Sequence, residues 1–100
     1  MTGELAGLLD TKVTIERRDP ERDGLGGAAG EWAVLRVAWA AISPIRGRDE
    51  TWWRLVMRDE APVAAVGDRV RWGGRLLELW VETRDPRLPD RVSFEAEEAR

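Results

Sequence analysis

Apolar and polar residues alternate with a period of two along much of this chain, the pattern of β-strands that turn one face to a core and the other to solvent. The alternation is clearest in Asp68 to Val81, DRVRWGGRLLELWV. Gly73 and Gly74 interrupt this run as a two-residue loop. A type I′ hairpin turn needs positive φ at both central positions, which glycine adopts without steric cost. That turn pairs Trp72 with Arg75, Val70 with Leu77 and Arg69 with Glu78. Alternation then predicts one face of Val70, Trp72, Leu77, Leu79 and Val81, and an opposite face with Arg69, Arg71 and Glu78.

The other runs follow the same logic. Thr11 to Arg18 places Val13 and Ile15 inward and Lys12, Thr14 and Glu16 outward. Glu31 to Ser43 is a long apolar strand with Leu35, Val37 and Trp39 on one face and Trp32, Val34, Ala40 and Ile42 on the other, which predicts a central, bent strand. Pro44 ends it, and a charged turn leads into Thr51 to Arg58, where Trp53, Leu55 and Met57 share a face. Arg91 to Glu97 presents Val92, Phe94 and Ala96 inward. Before the first strand, Leu5, Leu8 and Leu9 have the spacing of one or two amphipathic helical turns, weakened by Gly3 and Gly7, and predict a docking segment. Asp19 to Gly30, with four glycines and a proline, predicts a loop long for a compact domain.

The predicted fold is all-β: a small single-domain β-barrel or sandwich of about six antiparallel strands, with a short N-terminal helical segment and a long glycine-rich loop. Residues 1–10 form the docking segment, 11–97 the barrel and 98–100 a tail. The expected core is Val13, Ile15, Val37, Trp39, Leu55, Val70, Leu77, Leu79, Val92 and Phe94.

Composition narrows the chemistry. The 100 residues contain no Cys and no His, which removes disulfides, thiolate nucleophiles, His-based triads and Cys/His zinc sites. The serines and threonines have no histidine to activate them, and Lys12, the only lysine, sits on an outward strand face. Adjacent carboxylates such as Asp49 and Glu50 point to opposite faces of a strand, so sequence adjacency makes no acid/base pair. The glycine loop lacks the Lys-Ser/Thr and following helix of a phosphate cradle. No catalysis and no cofactor are expected. A net charge of -3 is the wrong sign for affinity built on phosphate neutralisation. No run is long enough for a membrane span, and the N-terminus lacks a signal-like segment, so a soluble, unprocessed, cytosolically folded chain is expected. Six Trp exceed what so small a core can bury, which places some at subunit interfaces.

In order and spacing, several pieces resemble the phage head-tail joining proteins, also called head-closure, stopper or head-tail adaptor proteins. They are Val13-Thr14-Ile15-Glu16-Arg17, a glycine-containing loop, Glu31-Trp32, Val37-Ala38-Trp39-Ala40 with Ile42, and Gly47-Arg48-Asp49-Glu50. A strand ending in Arg58 and Arg69-Val70-Arg71-Trp72-Gly73-Gly74-Arg75 complete the set. Thr51 follows the Gly-Arg turn almost directly, where relatives often carry a partly helical insertion, so contacts made by that insertion do not transfer.

The resemblance implies a structural virion connector: a homo-oligomeric ring below the portal and its adaptor that closes the filled head and offers a surface to a tail-terminator or tail protein. It also implies a location at the head-tail interface of a phage or gene-transfer-agent particle, made in the bacterial cytoplasm. DNA is expected to pass through the channel without specific binding. Interface candidates are Arg46, Arg48, Glu50 and Trp52. The loop residues Asp19, Glu21, Arg22, Asp23, Gly24, Gly26, Gly27 and Gly30 are candidates for contact with a neighbouring ring or for gating the channel, mobile in the free subunit and ordered on assembly. Two other readings compete. One is a tail-terminator-like ring protein; the other is a small barrel that binds peptide or nucleic acid, with Trp52, Trp72 and Trp80 as stacking platforms.

Overall fold

A computed structural model describes residues 9–18 and 31–99. Its six strands are β1 (Thr11–Arg18), β2 (Trp32–Pro44), β3 (Trp52–Arg58), β4 (Arg69–Trp72), β5 (Arg75–Thr83) and β6 (Arg91–Glu98). They close into an antiparallel barrel in the order β1-β2-β3-β6-β5-β4, with β4 returning to β1. Closure gives every strand two neighbours and satisfies most of the ladder groups that an open sheet would leave at its edges; β2 before Ala40 pairs with β1 alone and the end of β5 with β6 alone. The expected helical turns and the Asp19 to Gly30 loop lie outside the described residues, except for Leu9, which is buried.

The core is formed by Phe94, Ile15, Leu55, Met57, Leu77, Leu79, Val70 and Val92, all essentially inaccessible to solvent. Ala64, from the connection between β3 and β4, is buried with them. Trp53 and Trp72 pack on the cluster from the end that holds the β2–β3 and β4–β5 turns, with their rings edge to face at 5.1 Å. The interior is therefore filled with side chains, as expected for a barrel this narrow.

Two β-bulges correct the predicted faces. Between β1 and β2, Ile15 pairs with Arg36 and Glu16 with Val34, which leaves Leu35 without a partner and reverses the parity of β2 beyond it. Leu35 packs against the core, but Ala38 and Ala40 are the residues turned inward, while Val37 and Trp39 are 50% and 54% exposed. Small side chains are needed there because Phe94, Leu55 and Met57 already occupy the narrow interior, leaving no volume for an indole. The second bulge skips Trp80: Leu79 pairs with Ala96 and Val81 with Glu95, so Val81 faces out at 42% exposure.

The hairpin has the expected register, with Val70 opposite Leu77 and Trp72 opposite Arg75. Its turn differs: Gly73 has φ of 59° and Gly74 is not at positive φ. These are the signs of a type II′ turn, which requires glycine only at the first central position and is equally compatible with strand twist.

Candidate interface surfaces

The β2–β3 turn, where the sequence places Arg46, Arg48, Glu50 and Trp52, is held by backbone bonds and by one aspartate. Arg48 N–H donates to Ile45 O (3.3 Å) and Trp52 N–H to Asp49 O (3.2 Å). Asp49 Oδ1 accepts from the Thr51 N–H at 2.9 Å and also from its hydroxyl. Gly47 takes φ of 85°, a left-handed conformation that favours glycine. On this frame the Arg48 guanidinium lies 4.1 Å over the Trp52 ring and bonds Glu95 at 3.2 Å. Arg46 and Glu50 are exposed. Thus Arg48 and Trp52 are brought together, but Arg48 already covers one face of the half-buried indole.

Beside this turn, Trp53 Nε1 donates to Glu98 Oε1 (3.1 Å), and Arg75 lies 3.6 Å from Glu98 Oε2. The Arg75 guanidinium also stacks over both Trp53 and Trp72, at 5.3 and 4.9 Å. Trp72 is consequently part of the end closure and not a free stacking platform. Trp80 is the most open of the three proposed platforms, at 48% exposure. The acidic residues around it, Glu78 on its own strand and Glu97 directly opposite Glu78, oppose a phosphate backbone.

Two buried carboxylates, which the alternation pattern did not single out as special, hold the scaffold. Glu16 accepts from Arg69 Nε at 2.6 Å and Arg71 Nε at 3.3 Å. Burial pushes its pKa up, but bonding and attraction to Arg69 and Arg71 outweigh this and leave it lowered overall. Asp68 receives Arg17 Nε and Nη2 at 2.8 and 2.9 Å and the Ala65 N–H at 2.9 Å, while Arg17 also reaches Val63 O. The bond to Asp68 raises the Arg17 pKa. The available sequence signal was weak, an aspartate after Gly67 at a strand start, and the register that sets Glu16 against Arg69 comes only from the β1–β4 ladder. Both are tied to arginines, and these ion pairs brace β1 against β4 and the residue before it.

On the outer wall, Val34, Val37 and Trp39 expose apolar surface on β2, and Trp80 and Val81 do so on β5. Sequence alternation assigns Val37, Trp39 and Val81 to inward faces and so misses the β2 part of this surface, whereas Trp80 is already named there as a stacking platform. Among the described residues no group of three or more Asp, Glu, His or Cys could hold a metal ion, and no helix is long and apolar enough to cross a membrane. The loop candidates Asp19, Glu21, Arg22, Asp23, Gly24, Gly26, Gly27 and Gly30 lie outside the described residues.

Comparison with curated proteins finds no match. The family model described as phage head completion protein matches residues 5–87, from before β1 into the β5–β6 loop, so that only the closing strand β6 lies beyond it. The chain belongs to the phage head completion protein family, and its role is a structural one in closing the phage head.

Proposed function

We propose that this protein acts as a ring of identical subunits between the portal side of the head and the tail, retaining packaged DNA and offering the tail a docking surface. The observation that carries the reading is the family match over residues 5–87 of a chain whose outer wall keeps two tryptophans half exposed. A net charge of -3 suits a channel through which DNA must slide during ejection, since a lining of cations would grip the phosphates. The protein performs no catalytic step in this role. Arg46, Arg48, Glu50 and Trp52 form a docking turn for a neighbouring connector component, with the Arg48–Trp52 stack presenting a preorganised cation and aromatic edge. The Asp19 to Gly30 loop, which joins β1 to β2, contacts the adjacent ring or projects into the channel.

The test is complementation of particles that lack the protein. Wild-type protein should restore DNA-retaining heads with tails, seen by electron microscopy with a symmetric ring at the vertex. Heads that retain DNA and join tails without the protein would overturn the role. With Trp52→Ala and Arg48→Glu, tail joining should fall; normal yield would remove the turn from the interface while leaving the role intact.

A further inference from the structure

We propose that the outer surface around Trp39 on β2 and the outer surface around Trp80 on β5 are the two halves of one interface, through which a second copy of this chain docks head to tail. This deepens the ring reading above and rests on it. Three observations carry it.

The first is position. In the closed order β1-β2-β3-β6-β5-β4, β5 is three strands from β2 by either route. Extending the paired registers by one or two residues, the route from Trp39 through Lys12 and β4 arrives at Gly74. The route through Arg58 and Arg91 arrives at Asp85. Strand tilt displaces the two routes in opposite directions along the barrel axis, so the point level with Trp39 lies midway between these ends, at Leu79 and Trp80. The two half-exposed indoles therefore stand at one height on opposite sides of the barrel.

The second is apolar character. Val34 and Val37 flank Trp39 and Val81 adjoins Trp80, all more than 40% exposed. The third is charge. Trp39 is bordered on β1 by Lys12 and, one step beyond the β2–β3 ladder, on β3 by Arg58, both exposed and neither in an ion pair among the described residues, while the nearby Glu60 is taken up by Arg36. On the other side, Glu78 and Glu97 face each other across the β5–β6 ladder, a like-charge pairing that costs stability in the isolated subunit; Arg69, opposite Glu78 on β4, is bonded to Glu16, and neither Glu78 nor Glu97 forms an ion pair among the described residues. The uncompensated cations beside one tryptophan and the uncompensated carboxylates beside the other are complementary. Because the two patches differ, contact between them is heterologous and propagates from copy to copy, closing into a ring when the rotation per subunit permits.

The chain has no cysteine, so Val37→Cys and Val81→Cys can be introduced singly and together into the full-length protein, built into particles and probed with a short bis-maleimide. The barrel body separates these positions within one chain. Expected are a ladder of covalent multimers from the double variant, dimers from mixed single variants, and no multimer from either single variant alone. Dimers from one single variant would reveal a self-paired surface and overturn the proposal, as would a cross-link to a different protein. Absence of the ladder in particles that still show the ring would overturn the surface assignment and leave the ring standing; particles closed without a ring would remove both. In parallel, Lys12→Glu and Glu78→Lys should each lower particle yield at least about tenfold, with the double swap restoring it; no restoration counts against the charge pairing.

Discussion

Leu77 is fully buried beside Val70 and Leu79, and Leu77→Ala should destabilise the barrel by about 2–5 kcal/mol in urea unfolding, because the wall is too tightly laddered to collapse into the cavity. Val37→Thr on the exposed side of β2 should change stability by less than about 0.5 kcal/mol, the opposite of what simple alternation along that strand predicts. Glu16 sets a pH dependence. Its folded-state pKa is depressed, so its contribution is full above the ordinary glutamate pKa and is lost as pH falls through the folded value. Glu16→Gln should therefore lower Tm at neutral pH. The gap to wild type should close in acid, below the ordinary glutamate range, and a gap unchanged down to pH ~2 would show that the Arg69 and Arg71 contacts carry no such linkage.

Among the elements, the β4–β5 hairpin and β6 behave as their patterns require, whereas β2 and the end of β5 do not. The difference is the bulge at Leu35 and the one at Trp80, each of which inserts a residue and reverses every face beyond it. The turn offers a direct check. An added Cβ would meet nothing within 4 Å at either Gly73 or Gly74, so steric contact cannot distinguish them. Only Gly73 is held at positive φ, and Gly73→Ala should cost about 1–2 kcal/mol while Gly74→Ala costs clearly less. Equal losses would restore the type I′ assignment.

At the scale of the whole molecule, the barrel is closed, but β2 from Trp32 to Trp39 ladders to β1 alone and β5 from Val81 to Thr83 to β6 alone, so those segments keep one edge outside the ladder. Both ends are occupied, by Trp53 and Trp72 at one and by Ala64 with the Arg17–Asp68 brace at the other, so DNA would pass between subunits of a ring and not through a barrel. The glycine-rich loop can be tested here. Replacing Arg22 to Ala29 by Asn-Gly should leave thermal unfolding of the isolated subunit nearly unchanged but reduce DNA retention or tail joining in particles. Normal particles from a folded, shortened protein would remove the loop from the connector's working parts.

Sequence alone determined the all-β class, the extents of β1 and the hairpin strands to within two residues, the inward faces of β1, β3 and β6, and the family. Each depends on local information: a period of two, a glycine pair at a turn, or a set of short motifs in order. Tertiary structure decided which tryptophans face out, because parity along β2 and β5 is reset by bulges whose positions depend on the neighbouring strand. It also decided that Glu16 and Asp68 are structural, since their arginine partners come from other strands. That Trp39 and Trp80 oppose each other follows only from barrel closure, the one feature that relates strands with no ladder between them.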